Sequence, residues 1–389
     1  MSEVVLPSAL PSPRARRGLM ALVLLGVAAL LAGAALQAPR VWSGVLIGFL
    51  MIIGLGLGGA LFLAINAASG ARWATFVRRV PEAMAATLLS SAALVLLLVW
   101  AAGRLYPWAQ PGFMDSLPIL AGKKGWLSLG FFSLRSVVYV TAWAGLVWLI
   151  LRNYRAQDRD GRARTSANRK LGIVFLIVFG YTFCLSSFDW IMSLEPTWCS
   201  TVFGLYCFAG VMQCGFATAL LLVLYLDSKG VFRGELRGQH LHDLGKWLFA
   251  FSCFWAYMWF CQYMLTWFSD LPDENQYYLL RHGQWDGMMV VVVCGRFAVP
   301  FFGLASQAAK KNRRVLAGVA GLVLLMHWLD LVLMVMPSVA ANGALLDPFC
   351  LLLPLAAVAG FLLLFFRSFR AHRAVPAPDA AMAYSRHYS

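Results

Sequence analysis

Charged residues are scarce in this sequence. Asp, Glu, Lys and Arg make up 13% of its 389 residues, whereas 61% are hydrophobic. A disordered chain contains far fewer apolar residues, and a water-soluble domain usually contains more charge. The composition therefore excludes a disordered protein and argues against an ordinary soluble fold.

Ligands for metals and haem are also sparse. The eight cysteines are scattered without a C-x-x-C pair or a Cys/His cluster, which argues against zinc, iron–sulfur ligation and a disulfide framework. Cys199 and Cys350 both fall near the predicted outer edge, where free thiols are favoured over a disulfide. Of the six histidines, only His327 falls in a predicted membrane span. The others are expected in loops or in the C-terminal tail, with His240 and His242 in an inner loop. The predicted spans therefore lack the two axial histidines that haem b commonly needs. We expect this chain to bind no cofactor.

Long apolar runs are what the sequence has in abundance. A membrane-spanning helix takes about 20 residues, and ten runs are long enough: 18–36, 42–66, 83–103, 126–151, 171–191, 199–226, 244–268, 286–308, 314–336 and 348–366. The first run is interpreted as a retained helix and not a signal peptide, because Arg40 and the next span follow at once. The sequence predicts an all-α polytopic protein of ten helices, with a single membrane domain over 18–366 and tails at 1–17 and 367–389.

The distribution of positive charge predicts an orientation. Most of the 32 lysines and arginines fall in the two tails and in the loops on one side, such as 152–170 and 227–246. The positive-inside rule places that side in the cytoplasm, with both termini. The net charge of +15 is then mostly a topology signal, since the charges are spread over separate short segments and do not form a nucleic-acid surface.

Four ionisable residues within the spans form two matching sets. Arg135 and Asp189 lie in the fourth and fifth spans, and Arg296 and Asp330 lie in the eighth and ninth. Each aspartate is followed by a proline seven residues later. A charge at the bilayer centre costs about 2.5–3.5 kcal/mol on insertion scales, so such residues are candidates for function.

This pattern predicts an internal duplication. Spans 2–5 (repeat A, about 42–191) and spans 6–9 (repeat B, about 199–336) would form two four-helix bundles. Because four spans is an even number, the two bundles would point the same way through the membrane as a parallel repeat. Spans 1 and 10 would flank the pair.

The spacing also predicts which charges meet. All four lie roughly 10–15 Å below the outer edge, so Arg135 can pair with Asp189, and Arg296 with Asp330. His327 lies three residues before Asp330 and thus on the same helix face. Two interpretations stay open: structural ion pairs that fix helix register, or a proton path or the polar end of a quinone site.

Two further motifs have plain interpretations. The run Gly54-Leu-Gly56-Leu-Gly58-Gly59 matches G-x-G-x-x-G, but it lies within the second span without the strand that a dinucleotide site requires. Close helix packing through small residues is the favoured interpretation. The acidic, aromatic segment 268–278 is either a solvated interfacial loop, which is favoured, or a docking site for a partner on the outer face.

Several segments carry a resemblance to a known family. They are 187–196 (SFDWIMSLEP), 200–206 (STVFGLY), 244–257 (LGKWLFAFSCFWAY) and 262–274 (QYMLTWFSDLPDE). Through them the chain resembles the ActF subunits of bacterial alternative complex III, over nearly its whole length. These subunits are similar to the NrfD-type membrane subunits of polysulfide reductase-like enzymes, which implies two four-helix bundles with extra helices.

The resemblance implies a place in a quinol:cytochrome c (or high-potential iron–sulfur protein) oxidoreductase of the bacterial inner membrane. The implied partners are the cytochromes ActA and ActE, the iron–sulfur subunit ActB, the quinol-binding sister subunit ActC and the small subunit ActD; a terminal cytochrome oxidase is a further candidate. Quinol, haem c and iron–sulfur clusters would belong to those partners. The implied role of this chain is structural support with a proton path, and Asp189 lies in a segment that matches the family. Arg135, Arg296, His327 and Asp330 join it as proton-path candidates on the spacing argument given above.

Two alternatives remain. One is an NrfD-like quinone-binding anchor of another respiratory oxidoreductase. The other is a proton-coupled transporter, suggested by repeats and buried charge. Transporters commonly break helices near the midplane, whereas the prolines here lie near span ends, which weakens this second alternative.

Overall fold

The computed structural model describes residues 11–161, 164–232, 235–339, 347–372 and Ser385. Those residues form helices and connecting turns, with no strand among them. The α-helices are α1 Pro13–Ala35, α2 Val41–Ser69, α3 Arg79–Ser91, α4 Leu94–Leu105, α5 Phe113–Ser116, α6 Leu129–Asp160, α7 Thr165–Trp190, α8 Phe203–Ser228, α9 Gly238–Ser269, α10 Pro272–Leu279, α11 Asp286–Val293, α12 Val299–Gly303, α13 Gln307–Lys311, α14 Arg313–Val339 and α15 Pro348–Arg370.

Nine helices in the described part of the chain are long and apolar enough to cross a membrane. One of them is the run Asp286–Gly303, in which a π-helix joins α11 to α12. α3 and α4 are long and apolar enough only when taken together, and they are bent by 54° at their junction. If this pair counts as one span, the number of candidate spans in the described residues is ten. The prediction of an all-α polytopic membrane protein is confirmed at this level.

Several predicted boundaries are wrong, most of them for one reason. Apolar runs mark only the part of a helix that lies in lipid, whereas the helices continue beyond it. The loop predicted at 152–170 is mostly the end of α6 and the start of α7, and the segment 268–278 contains most of α10. Because α9 begins at Gly238, His240 and His242 lie in its first two turns and not in a loop. Most of the predicted tails, including His387, lies outside the described residues.

α2 is the central helix and is buried along nearly its whole length. It packs against α3, α7, α8 and α15. Its glycines make this possible, because a Cβ on Gly58 would overlap the backbone of Gly215 in α8, and one on Gly59 would overlap Met84 and Ala85 of α3. The interpretation of the glycine run as a packing motif is confirmed.

α1 and α15 lie at the periphery. α1 packs on α15, where a Cβ on Gly26 would overlap Ala356, and α15 in turn packs on α2. Pro354 lies inside α15 and has no N–H for the carbonyl of Cys350. That carbonyl instead accepts a 2.9 Å hydrogen bond from Nε1 of Trp328 in α14, so this bond ties α15 to α14.

The helix bundle has two chemically distinct ends. α3, α7, α9 and α14 begin at one, called here the arginine-rich end. The opposite, tryptophan-rich end carries Trp108, Trp126, Trp198, Trp267 and Trp285. We refer to residues 41–190 as the N-terminal half and to residues 203–339 as the C-terminal half.

Candidate functional site

The first ion pair joins α6 to the end of α7. Arg135 donates through Nε to Oδ2 of Asp189 (2.8 Å) and through Nη2 to Oδ1 (2.7 Å), so the contact is bidentate. Nε1 of Trp126 (2.9 Å) and Oη of Tyr139 (3.0 Å) also donate to Asp189. Four hydrogen bonds therefore satisfy a carboxylate that is completely buried. The predicted pairing is present.

Aromatic rings close this first site. Trp126 precedes α6, which begins only at Leu129 and not at the predicted residue 126. Its ring centre lies 3.9 Å from Cζ of Arg135, and that of Phe131 lies 4.2 Å away, distances typical of cation–π contact. Nη1 of Arg135 is buried without a hydrogen-bond partner among the described residues, but the two rings cover the guanidinium.

The second arginine lies where its helix is irregular. Arg296 is in the π-helix Cys294–Ala298, a feature frequent at functional sites. Pro300 has no N–H for the carbonyl of Arg296, and Nε2 of Gln213 donates to that carbonyl instead (2.7 Å). Oε1 of Gln213 accepts from Nε of Arg296 (2.8 Å). One amide from α8 therefore holds both the backbone and the side chain of Arg296.

Asp330 of α14 completes the second pair. Its Oδ2 contacts Nη1 of Arg296, and its Oδ1 accepts a 2.5 Å hydrogen bond from Oη of Tyr206 in α8. Arg296 is 0% and Asp330 2% exposed, so this predicted pair lies deep inside the helix bundle. The ring centre of Trp255 lies 4.4 Å from Cζ of Arg296, a cation–π distance.

The second pair belongs to a longer polar chain. Nε2 of Gln213 also donates to Oγ of Ser252 in α9 (2.9 Å). Contacts therefore run from Tyr206 through Asp330, Arg296 and Gln213 to Ser252. This chain crosses part of the C-terminal half toward the arginine-rich end.

A small cavity borders Asp330 on the side of the tryptophan-rich end. Its volume is about 30 Å³, and its polar lining includes Tyr206, Gln262 and Arg281. One buried water needs roughly 10–15 Å³ and two or more polar partners. The cavity has room for about two waters in contact with the carboxylate. Burial raises the pKa of Tyr277 on α10, which also lines it, so that phenol is neutral at physiological pH.

His327 does not join Asp330 as the shared helix face suggested. It lines a separate cavity of about 40 Å³ between the two halves, together with Gly54 of α2 and Ser186 and Ser187 of α7. Its Nδ1 is buried and has no hydrogen-bond partner among the described residues. Its ring and the guanidinium of Arg296 both face Gly210: a Cβ on Gly210 would be 3.6 Å from Cε1 of His327 and 3.4 Å from Nη2 of Arg296.

A third ion pair lies between the cavity and the tryptophan-rich end. Nη1 of Arg281 donates to Oε1 of Glu195 (2.9 Å). Pro337 has no N–H for the carbonyl of Leu333, and Nε of Arg281 donates to that carbonyl (3.0 Å). Glu195 follows α7 and Arg281 precedes α11, so this pair ties the segment between the two halves to the C-terminal half.

A buried charge cluster occupies the arginine-rich end of the N-terminal half. Arg78 and Arg79 both contact Glu82 (2.7 and 2.5 Å) and Asp158 (3.2 and 2.5 Å). Two cations and two anions balance there and tie the start of α3 to the end of α6.

No metal site is present among the described residues, because no three His, Cys, Asp or Glu side chains there are grouped to hold an ion. Cys199 and Cys350 are free thiols, as expected.

Sequence reasoning identified the four charges and missed their neighbours. Gln213 had a usable signal, since it is an amide in the middle of an otherwise apolar span. Tyr139 lies four residues after Arg135, on the same helix face. Nothing local indicated that Tyr206, from a different helix, would donate to Asp330.

No family model matches this sequence. None of the curated proteins compared with it gives a match either.

Proposed function

We propose that this chain is an integral membrane subunit, without redox centres, of a quinol:cytochrome c oxidoreductase of the alternative complex III type. In this proposal it lies in a bacterial inner membrane with both termini in the cytoplasm. It supports the complex and conducts protons through its C-terminal half. Its partners carry the quinol site, the haems c and the iron–sulfur clusters.

The finer architecture belongs to the same proposal. The N-terminal and C-terminal halves are two four-helix units in parallel repeat, with α1 and α15 beside them. The contact of Gly58 with Gly215 supports this, because it joins corresponding central helices that run in the same direction. The Arg–Asp pair in each half supports it as well.

The observation that carries the proton role is the setting of Asp330. A proton carrier needs an ionisable group, access to water and polar neighbours that accept or deliver the proton. Asp330 has a cavity of water size on one side, from which water can exchange a proton with its carboxyl group. On the other side lies Arg296, which stays protonated and sets the charge of the site. Asp189 has four donors and lines none of the described cavities, so we assign it a structural role.

The membership proposal is tested by purification in a mild detergent. We expect the chain to co-purify with haem c absorption and with companion subunits identified by mass spectrometry. A colourless protein that is stable alone would contradict the proposal and favour the transporter alternative.

The proton role is tested by matched variants of the two aspartates. We expect Asp330→Asn to reduce proton movement coupled to quinol oxidation in reconstituted vesicles, while the complex assembles normally. Asp189→Asn is the matched control and should leave coupling unchanged in whatever complex assembles. Normal coupling with Asp330→Asn would contradict the relay, and loss of assembly would assign Asp330 a structural role.

One observation favours the quinone-anchor alternative. A cavity of about 360 Å³ lies between α2, α8, α14 and α15, with an almost entirely apolar lining that includes Met51, Leu221 and Pro354. Its size falls within the range of small-molecule sites, and its lining suits an isoprenoid tail. Labelling of Met51 or Leu221 by a photoreactive quinone would favour this function over a purely supporting one.

A further inference from the structure

A second large cavity lies at the arginine-rich end of the N-terminal half, away from both ion pairs. Its volume is about 350 Å³, and it is enclosed by the end of α2, the turn that follows it, the end of α6 and the start of α7. Phe62 and Leu63 form an apolar floor, while Asn66, Arg72 and Asn168 contribute polar groups. This cavity takes no part in the proposed proton route.

The cavity contains a buried acceptor with no donor. Asn66 is 8% exposed, and its Nδ2 donates to the carbonyl of Phe62 (2.8 Å), which fixes the orientation of the amide. Its Oδ1 is buried without a hydrogen-bond partner among the described residues. An unsatisfied buried acceptor costs about as much as a lost hydrogen bond, so this atom indicates a ligand that carries a hydrogen-bond donor.

The same cavity has an excess of positive charge. Arg78 lines it, but its charge is balanced within the cluster with Glu82 and Asp158. Arg72 also lines it, is exposed, and makes no ion pair within the described part of the chain. The first turn of α7, at Thr165, adds backbone N–H groups that the preceding residue does not cap with its side chain. A helix N-terminus of this kind favours an anion.

The depth of the cavity matches a lipid headgroup. Asn66 lies three residues before the end of α2, roughly 5 Å from it, which is the level at which helices leave the hydrocarbon. Phe62 lies one turn deeper, where acyl chains begin. Polar groups at the rim and apolar groups on the floor match a phospholipid that enters from the side of the membrane.

We propose that this cavity binds the headgroup of an anionic phospholipid with a glycerol headgroup. Its phosphate contacts Arg72 and the start of α7, and a headgroup hydroxyl donates to Oδ1 of Asn66. A net charge of minus one balances Arg72. An ethanolamine headgroup fits less well, because its ammonium would lie beside two arginines.

The test compares four full-length proteins purified in mild detergent: wild type, Arg72→Gln, Asn66→Leu and the control Arg16→Gln. Arg16 is also exposed and basic, but it lies at the start of peripheral α1. Bound lipids are extracted and quantified by mass spectrometry. We expect phosphatidylglycerol to be enriched over phosphatidylethanolamine in the wild type and the control, and to be reduced about fivefold in Arg72→Gln.

A second measurement separates a lipid from free phosphate and keeps the test valid if Asn66→Leu folds poorly. Thermal unfolding of the wild type is followed in phosphatidylcholine nanodiscs with phosphatidylglycerol, without it, and with inorganic phosphate. Stabilisation by phosphatidylglycerol in the wild type and Arg16→Gln, but not in Arg72→Gln, supports the proposal. Equal retention by wild type and Arg72→Gln, enrichment of phosphatidylethanolamine, or equal stabilisation by inorganic phosphate would each overturn it.

Discussion

The two halves hold the same pair of residues in different surroundings. In the N-terminal half, Asp189 accepts four hydrogen bonds, and two aromatic rings cover its arginine. In the C-terminal half, Asp330 borders a cavity of water size, and Arg296 lies in a π-helix. The comparison shows that an intramembrane ion pair does not define a function by itself. The number of hydrogen-bond donors around the carboxylate and its access to water distinguish a structural ion pair from a candidate proton relay.

The difference can be located in the two central helices. In the register that pairs Gly58 with Gly215, Phe49 of α2 occupies the place of Tyr206 in α8, and Gly56 occupies that of Gln213. The N-terminal half therefore has neither the phenol nor the amide from its central helix. Its donors are Arg135 and Tyr139 of α6 and Trp126, which precedes that helix.

The largest expected effect tests how strongly each carboxylate depends on its arginine. Arg296→Met should destabilise the protein by about 3–5 kcal/mol, because it leaves a deeply buried carboxylate without its cation. Arg135→Met should have a smaller effect, since Asp189 keeps its bonds from Trp126 and Tyr139. Thermal unfolding in detergent measures both.

The double variant Arg296→Met/Asp330→Leu is the control for this comparison. Because it removes both charges, it should recover most of the lost stability. Equal losses for the two single arginine variants would show that the two sites do not differ as described.

A smaller effect tests the amide that holds Arg296. Gln213→Leu removes the partners of Nε and of the backbone carbonyl of Arg296, and we expect a loss of about 2 kcal/mol. Tyr139→Phe removes one of four donors to Asp189 and should cost about 1 kcal/mol. The same unfolding measurement applies, and a larger loss for Tyr139→Phe would reverse the ranking of the two sites.

The smallest effect concerns pH at the arginine-rich end of the N-terminal half. Burial and the nearby Arg155 and Arg79 lower the pKa of His372, against the opposing charges of Glu82 and Asp158. Because the pKa of His372 is lower in the folded state, its contribution to the free energy of unfolding is complete above the unfolded-state pKa of about 6.5. That contribution decreases as the pH falls below this value.

Between pH 7.5 and 5.5 the unfolding temperature of the wild type should therefore fall further than that of His372→Gln, by about 1 °C. At pH 8, where the imidazole is neutral in both states, the acid-dependent difference should vanish. An identical acid response in the two proteins would contradict this contribution.

Much of the fold was accessible from hydropathy and charge. The apolar runs located the nine candidate membrane helices of the described residues and the bent pair α3–α4, and the glycines of α2 indicated where helices approach closely. The bend between α3 and α4 was not predictable, because Ser91, Ala92 and Ala93 carry neither proline nor glycine. The solvated ends of α6 and α7 were missed because polar helical turns outside lipid have no apolar signature.

The candidate site was predictable only as far as its charges. Their cost in a membrane makes them visible in the sequence, and their depth predicts their partners. The π-helix at Arg296 and the separate cavities that His327 and Asp330 line depend on the other helices that pack around them. The two Arg–Asp sets have similar spacing in the sequence and were therefore expected to have the same surroundings. In the structure their surroundings differ.

Three prolines within helices share a consequence that no single contact reveals. Pro300, Pro337 and Pro354 each leave free the carbonyl four residues earlier, and a side chain from a different segment donates to it: Gln213, Arg281 and Trp328, respectively. A residue known for weakening helices here turns a local backbone bond into a cross-link between segments 22 to 83 positions apart. Replacing any of them with alanine would return a local donor to the helix, and the tertiary bond would then have to compete for its acceptor.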